Sequence, residues 1–395
     1  MARELLITAG PGEWRAALLE VGEPVELYIE RGDRAEGGSI HLGRVRQLVP
    51  ALNAALVDIG GERPAFLPQS EILPRGKRLH EGERVVVQIR REAQAGKAAR
   101  VTMKGPAAPS EEWSDALNRA ARLDPPARLH PVATLAAALG AALPGALDLV
   151  VVDDPAAIPD LRSAFRDVGV EYFAEPEWPV DLDALFAETL AETLALAGGG
   201  RVHFEETRAG VLIDVDSGTP ETGTPEQTGL ATNLAAAAAI ARQARLRNLG
   251  GGIVVDFVGL ESRTSRERVH AALAEALVPD PAKPRVLGWT RLGHLELVRP
   301  RRGRPLLEAL LERRPGGVFV KTAVTVAHEA LRALRREARA QPGRQWRLVA
   351  APEVIAALTG VAAPAVQHAE QRFARRLAIE ARIGCDRERF EIAAL

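Results

Sequence analysis

The chain has 395 residues, and its 52 aspartates and glutamates balance 51 lysines and arginines to a formal net charge of −1. Bulk charge therefore gives no case for nucleic-acid binding, which has to rest on local basic patches. Cys385 is the single cysteine; it excludes an intramolecular disulfide and any cysteine-rich zinc site, and the length gives core enough for roughly two to four domains.

The opening MARELLITAGPGEW lacks the apolar run of a signal peptide. ELLITA and PVELYIER read as strands and GEWRAALLEVG between them as a helix, so a β-α-β opening is expected. From GRVRQL to VVVQIRRE, with a return at ARVTMKG, short strands between Gly and Pro turns suit a five-stranded OB-type barrel over about 36–105. PAAPSEEWSD at 106–115 marks its exit. The stretch 133–152 approaches membrane-spanning length, but Pro144 and Asp148 interrupt it. It reads as a buried helix followed by a strand, in a cytoplasmic protein with no membrane contact. AAIPDLRSAFRDVG follows as a helix and EYFAE as a strand. RVHFEETRAGVLIDVDSG opens an antiparallel pair, 231–248 is an alanine-rich helix ended by Gly250–Gly252, and IVVDFVGL is its return strand. Thr264 and Glu267 have the spacing of a capping box for the helix ERVHAALAEAL. Two strands, PRVLGWT and HLELVRP, lead through VRPRRGRP to a long helix around VAHEALRALRREARA. The strand WRLVAAP, the helix EVIAALTG and a final helix and strand complete an α/β multidomain chain.

Two runs carry the chemistry. GVLIDVDSGTPETG at 210–223 and RQARLRNLGGGIVVDFVGL at 242–260 are each built on an apolar strand that delivers carboxylates to its end. Side chains alternate along a strand, so Asp214 and Asp216 share a face with Val215 turned to the core. If the second strand lies alongside, Asp256 joins them. Three carboxylates so placed repel unless a cation sits among them, and all-oxygen ligands suit Mg²⁺ or Mn²⁺ rather than Zn²⁺. The alternative is that these aspartates only start turns, for which Asp216-Ser217-Gly218 is well made.

The segment IDVDSGTPETGTPEQTGLATNLAAAAAIARQARLRNLGGGIVVDF resembles the catalytic segment of the ribonuclease E/G family. That family shows an Asp-x-Asn-Ser/Thr-Gly strand end, an Asn-Leu-x-Ala-Ala helix start, an Ile-Ala-Arg-Gln-x-Arg-Leu-Arg helix and a Gly-Gly-x-Ile-Val-x-Asp-Phe strand, in this order and at nearly this spacing. HLGRVRQLVPALNAALVDIGGERPAFLPQSEI at 41–72 is similar to the family's S1 RNA-binding domain.

The resemblance implies an RNase H-like subdomain from 1–35 and 146–198, with an S1 (OB-type) barrel at 36–105 inserted in it. It further implies a linker and helical segment at 106–145, a DNase I-like catalytic unit at 199–303, a linker at 304–320 and a small C-terminal domain at 321–395. The expected activity is Mg²⁺-dependent endonucleolytic cleavage of single-stranded, A/U-rich RNA in processing or decay, with Mn²⁺ as an alternative ion. A catalytically weak RNA-binding protein that keeps the fold is the runner-up, and a DNA-directed nuclease would leave the S1-like barrel unexplained. The family's catalytic aspartates map onto Asp214 and Asp256; Asp216 stands at the family's asparagine and is expected as an added metal ligand.

For RNA contact the resemblance offers Phe66, a base-stacking aromatic whose usual companion is replaced here by Leu56, and Lys97 near the RNA path; the plain alternative for Phe66 is a barrel-core side chain. Arg242, Arg245 and Arg247 are expected to lead towards Asp256 as a phosphate surface. Arg299, Arg301, Arg302 and Arg304 read equally as a third surface or a charged linker. His294 is weighed between an approach to the site and a structural role. Residues 106–145 are too short for the family's 5′-monophosphate sensor, so little dependence on the RNA 5′ end is expected. RPGGVFVKTAV replaces the Cys-Pro-x-Cys zinc link, so no zinc-bridged assembly is expected and a homodimer through the C-terminal domain is left open. Ala235 stands at a helix position that is often glutamate in the family.

Overall fold

The structure, a computed structural model, describes residues 2–32, 39–61, 63–91, 98–105, 111–129, 134–143, 145–174, 178–207, 209–218, 224–314 and 316–395. In chain order the elements begin with β1 (Arg3–Ala9), β2 (Glu13–Glu20), β3 (Glu23–Arg31), β4 (Ile40–Val49), β5 (Ala54–Asp58), β6 (Ala65–Pro68), β7 (Arg84–Arg91), β8 (Arg100–Thr102), α1 (Glu111–Ala120) and β9 (Ala127–Arg128). Then come α2 (Leu135–Ala142), β10 (Leu149–Val152), α3 (Ile158–Ala164), β11 (Gly169–Tyr172), α4 (Leu182–Leu190), β12 (Thr193–Ala195), β13 (Arg201–Glu206), β14 (Val211–Asp216), α5 (Pro225–Leu246), β15 (Gly251–Asp256) and α6 (Arg263–Ala276). The chain closes with β16 (Arg285–Trp289), β17 (Leu295–Arg299), α7 (Leu306–Leu310), β18 (Leu311–Arg313), β19 (Phe319–Lys321), α8 (Ala323–Ala340), β20 (Trp346–Ala350), α9 (Pro352–Thr359), α10 (Ala363–Phe373), β21 (Ala378–Ala381) and β22 (Phe390–Ala394). Two compact units result: Gly32–Ala133, and Met1–Arg31 together with Thr134–Leu395.

The unit Gly32–Ala133 holds the expected barrel. Its strands run β5-β6-β8-β7-β4, and pairing of β4 with β5 closes the ring. Val45, Val57, Leu67, Val87, Ile89 and Val101 fill the interior. Along β6 the residues alternate inward and outward, so Ala65 and Leu67 are buried while Phe66 faces out. Phe66 is therefore not a core residue. It pairs in register with Leu56 on β5 and with Arg100 on β8.

In the other unit, the first sheet has the order β11-β10-β1-β2-β3, parallel through β11, β10 and β1 and antiparallel through β1, β2 and β3. The expected helix over GEWRAALLEVG is instead the interior strand β2, between β1 and β3. Both of its faces are buried, Ala16 and Leu18 with α2 and α3, Ala17 and Leu19 with α4 and α7. A continuous apolar run of this kind has no period from which to tell strand from helix. Gly12, at φ +70°, makes the β1–β2 turn, and an added Cβ there would lie 2.4 Å from the Cβ of Ala365.

The second sheet has the order β12-β13-β14-β15-β17-β16. Only β14 and β15 are parallel in it, because α5 carries the chain back between them. Val211, Ile213, Val215, Ile253 and Val255 pack one face against Ala237, Ile240 and Ala244 of α5 and Val269 and Leu273 of α6. Three local readings change here. Asn248, at φ +51°, takes the left-handed position after α5, and Gly251 and Gly252 already belong to β15. Ser262, not Thr264, caps α6, since its side chain accepts the Ser265 amide. The stretch 304–320, expected as a linker, holds α7 and the β18–β19 hairpin, and Leu306 and Leu310 are buried against the first sheet.

The small sheet β21-β20-β22 and helices α8, α9 and α10 form their own core. Helix α8 also joins the first sheet through buried charge. Glu13 is fully buried and accepts from Arg31 Nε at 2.6 Å, Arg15 Nε at 2.9 Å and Arg332 of α8. Arg335 of α8 pairs with Asp153 at the end of β10, and Asp154 is held by Arg372 of α10 and by Arg339 at 3.3 Å.

A different kind of buried carboxyl lies at the far end of β13. Glu206 has an Oε1 with no hydrogen-bond partner among the described residues, and burial first, then the charge of Glu308, pushes its pKa up to about 7 against the opposing pull of Arg247. An acid whose folded pKa is raised stabilises the fold below its unfolded pKa and loses that contribution as pH rises through the folded value. Glu206→Gln is therefore expected to gain about 1–3 kcal/mol at pH 8 and nothing at pH 4; urea melts at the two pH values check it, and equal gains at both would refute it.

Candidate functional site

The open face of the second sheet carries the site. Along β14 the pattern is strictly alternating, with Val211, Ile213 and Val215 buried and Leu212, Asp214 and Asp216 exposed. Asp214 and Asp256 are Cα partners across the parallel pair β14–β15. Adjacent strands lie about 4.8 Å apart, so the two carboxylates rise side by side from one face. Backbone crowding just after β14 requires the glycine of the Asp-Ser-Gly order. Gly218 sits at φ +68°, and a Cβ on it would lie 2.2 Å from the carbonyl oxygen of Gly199.

Behind Asp256, Asn233 of α5 fixes the exit of β15. It is fully buried, its Nδ2 donates to the Val258 carbonyl at 2.8 Å, and its Oδ1 accepts the Val258 amide at 3.0 Å. Glu226, in the first turn of α5, accepts the Glu261 amide at 3.0 Å. The loop that follows Asp256 is thus clamped at two points by one helix.

Two histidines flank the carboxylates. His203 on β13 is the Cα partner of Asp214, yet its Nε2 lies 3.2 Å from Oδ2 of Asp216, and its Nδ1 lies 2.9 Å from Thr193 Oγ1. His294, just before β17, places Nε2 3.6 Å from Oδ2 of Asp256. Of the two readings weighed for His294, the structure has the approach to the site. His203 went unnoticed in the sequence. A hairpin centred on 207–210 pairs 206 with 211 and hence 203 with 214, so fixing that turn would have revealed it.

A hard divalent cation fits Asp214 and Asp256. Both are exposed, both offer oxygen, and no basic side chain among the described residues pairs with Asp214. Two like charges this close favour a cation between them, and Mg²⁺ commonly takes one or two carboxylates and fills its octahedron with water and phosphate oxygens. Among the described residues no group of three or more His, Cys, Asp or Glu gathers around one point. Asp216 is accordingly not assembled with the other two as the expected third ligand; its carboxylate is engaged by His203.

The arginine surface is corrected in part. Arg245 is buried and bridges Glu20 and Glu26, at 3.1 and 3.0 Å from Nη2. Arg247 is buried too: its guanidinium lies 4.2 Å from the Phe204 ring centroid, its Nη2 donates to the Ala191 carbonyl at 2.7 Å, and burial pulls its pKa down to about 10. Both face the protein, because the C-terminal end of α5 lies between the two sheets, with Arg245 turned to β2 and β3 and Arg247, two residues on, turned to β13, and both belong to the packing rather than to a phosphate surface. Arg242 is half-buried with no ion pair among the described residues. Of the third arginine group, Arg299 is buried on Asp280 at 2.7 Å, and Arg301 is exposed. Lys97 lies outside the described residues.

Comparison with known proteins identifies the family. A model described as the ribonuclease E/G family matches residues 77–302, more than half of the chain. Ribonuclease G of Salmonella typhimurium (strain SL1344) is 25% identical over 491 aligned residues that span 100% of both chains. Ribonuclease G of Haemophilus influenzae is 26% identical over 89% of this chain and 91% of its own. A segment covering 32% of this chain is 41% identical to ribonuclease E of a Nostoc strain, 19% of that protein's length. The chain belongs to the ribonuclease E/G family.

Proposed function

We propose that the protein is an endoribonuclease that hydrolyses phosphodiester bonds in single-stranded, A/U-rich RNA during processing or decay, with Mg²⁺ held by Asp214 and Asp256 and Mn²⁺ as a substitute. The observation that carries this reading is the register of those two aspartates, opposite one another on the open face of a sheet in a member of this family. When bound, the ion supplies an activated water and neutralises charge on the phosphate. The chain's own contribution is to hold the two carboxylates on rigid strands, with the loop behind Asp256 locked by Asn233, so that ligand geometry does not depend on a mobile segment.

Phe66 on the outer wall of the barrel, beside Leu56 and Arg100, is the base-stacking candidate for guiding single-stranded RNA; such a stack is worth about 1–3 kcal/mol per base. We read 1–35 with 146–198 as RNase H-like and 199–303 as DNase I-like; the order β11-β10-β1-β2-β3 supports the former. No helix among the described residues is long and apolar enough to cross a membrane. A homodimer through residues 321–395 belongs to the same reading, and the mass in solution tests it.

Incubation of a 5′-labelled, A/U-rich single-stranded RNA with Mg²⁺ is expected to give internal cuts that leave 5′-phosphates, to be abolished by EDTA and restored by excess Mg²⁺. Tight RNA binding with no cuts in Mg²⁺ or Mn²⁺ would replace this reading with that of an RNA-binding protein on a nuclease fold. Equal cleavage of single-stranded DNA would overturn the RNA assignment.

A further inference from the structure

Asp216 is a carboxylate where the resembling motif has a neutral amide, and a third carboxylate beside Asp214 and Asp256 has two quite different consequences. As a metal ligand it would tighten the ion and leave the site net negative towards an incoming phosphate. Held elsewhere, it would leave the ion to two carboxylates.

The neighbours of Asp216 decide between these. Thr193, His203 and Asp216 stand on the consecutive strands β12, β13 and β14, with Thr193 the Cα partner of His203. Thr193 Oγ1 lies 2.9 Å from His203 Nδ1, and His203 Nε2 lies 3.2 Å from Asp216 Oδ2. Both imidazole nitrogens are used, so the ring is oriented at both ends. The bond to Asp216 runs diagonally, two residues past the register partner Asp214, and leans the carboxylate towards β13. Asp256 lies on the opposite side, on β15. The described residues accordingly offer no three-ligand group.

We propose that His203, steadied by Thr193, is a positioning residue that keeps the Asp216 carboxylate out of the metal's coordination, so that Asp216 serves as a hydrogen-bonding group and the ion takes only Asp214 and Asp256 from the chain. This rests on the reading of Asp214 and Asp256 as metal ligands. It predicts that freeing Asp216 adds a ligand, whereas removing its charge changes little.

The test is calorimetric titration of Mn²⁺ into the protein without RNA, for wild type, His203→Ala, Asp216→Asn, the double variant and Asp214→Asn. His203→Ala is expected to bind Mn²⁺ about tenfold more tightly, the lower range of effects from the groups that orient ligands. Asp216→Asn and the double variant are expected to match wild type, which a general loosening of the strand would not produce. Thr193→Val, which leaves the imidazole in place but unsteadied, is expected to shift affinity the same way by a smaller factor. Unchanged or weaker binding by His203→Ala, or the same gain in the Asp216→Asn background, overturns the proposal while leaving the two-aspartate site intact. Mn²⁺ binding no better in wild type than in Asp214→Asn overturns the metal reading itself, and this inference with it.

Discussion

Asp214→Asn and Asp256→Asn are each expected to lower kcat for RNA cleavage by about a thousandfold or more while leaving Tm within error of wild type. The first half follows from charge. In the proposed site each carboxylate is half of the anionic pair that would hold the ion, and metal stabilisation of a phosphoryl transition state is worth several kcal/mol, where about 1.4 kcal/mol is a factor of ten in rate. The second half follows from position: both side chains are exposed at strand ends, with alternate residues Ile213, Val215 and Val255 making the core. Asparagine keeps their size and hydrogen-bonding capacity, so the sheet is not disturbed. Single-turnover cleavage at saturating protein, run beside a thermal melt, separates the two effects. A variant that still cuts within tenfold of wild type would remove that aspartate from the site; a loss of rate accompanied by a large fall in Tm would mean that the residue supports the fold instead.

How far the sequence carries depends on what each residue interacts with. Asp214, Asp216 and Asp256 were legible because strand alternation is a local rule, and the chain writes it plainly in VLIDVD and GGIVVD. The barrel was legible for the same reason, its short alternating strands being separated by Gly and Pro. Three things were not. β2 is buried on both faces, so its sequence has lost the alternation that marks a strand. Arg245 and Arg247 look like a basic helix surface until the two sheets that enclose the end of α5 are known; their partners Glu20, Glu26, the Phe204 ring and the Ala191 carbonyl come from distant parts of the chain. His203 depends on a register two strands wide, and nothing within RVHFEE announces that it faces the aspartates. Local periodicity found what faces solvent, whereas long-range pairing decided which charges are free to meet a substrate.

The same long-range pairing underlies the largest expected stability effect, at Glu13→Gln. Glu13 is the anion shared by Arg15, Arg31 and Arg332, all buried. Burial would raise its pKa, but Arg31, Arg15 and Arg332 outweigh that and hold it well below the usual carboxylate range. Glutamine fits the space and removes the charge. Arg15 keeps Glu329 at 3.3 Å and Arg332 keeps Asp183 at 3.6 Å, whereas Arg31 is left with neutral acceptors, Thr325 Oγ1 at 3.2 Å and the Ala309 carbonyl at 3.5 Å. Breaking a buried pair by removing one partner costs about 3–5 kcal/mol, and the loss is expected here in the attachment of α8 to the first sheet. Hydrogen exchange of α8 and of β1–β3 should quicken together, ahead of the second sheet. The pH dependence has a fixed sign: a carboxyl with a depressed folded pKa stabilises fully above its unfolded pKa and loses that contribution as pH falls through the folded value. Wild type should therefore lose α8 protection on acidification, and Glu13→Gln should show less of that loss because its stability is already lower at neutral pH. Unchanged exchange of α8 at pH 7 in the variant would mean that the apolar contacts, not the buried charges, hold the C-terminal domain in place.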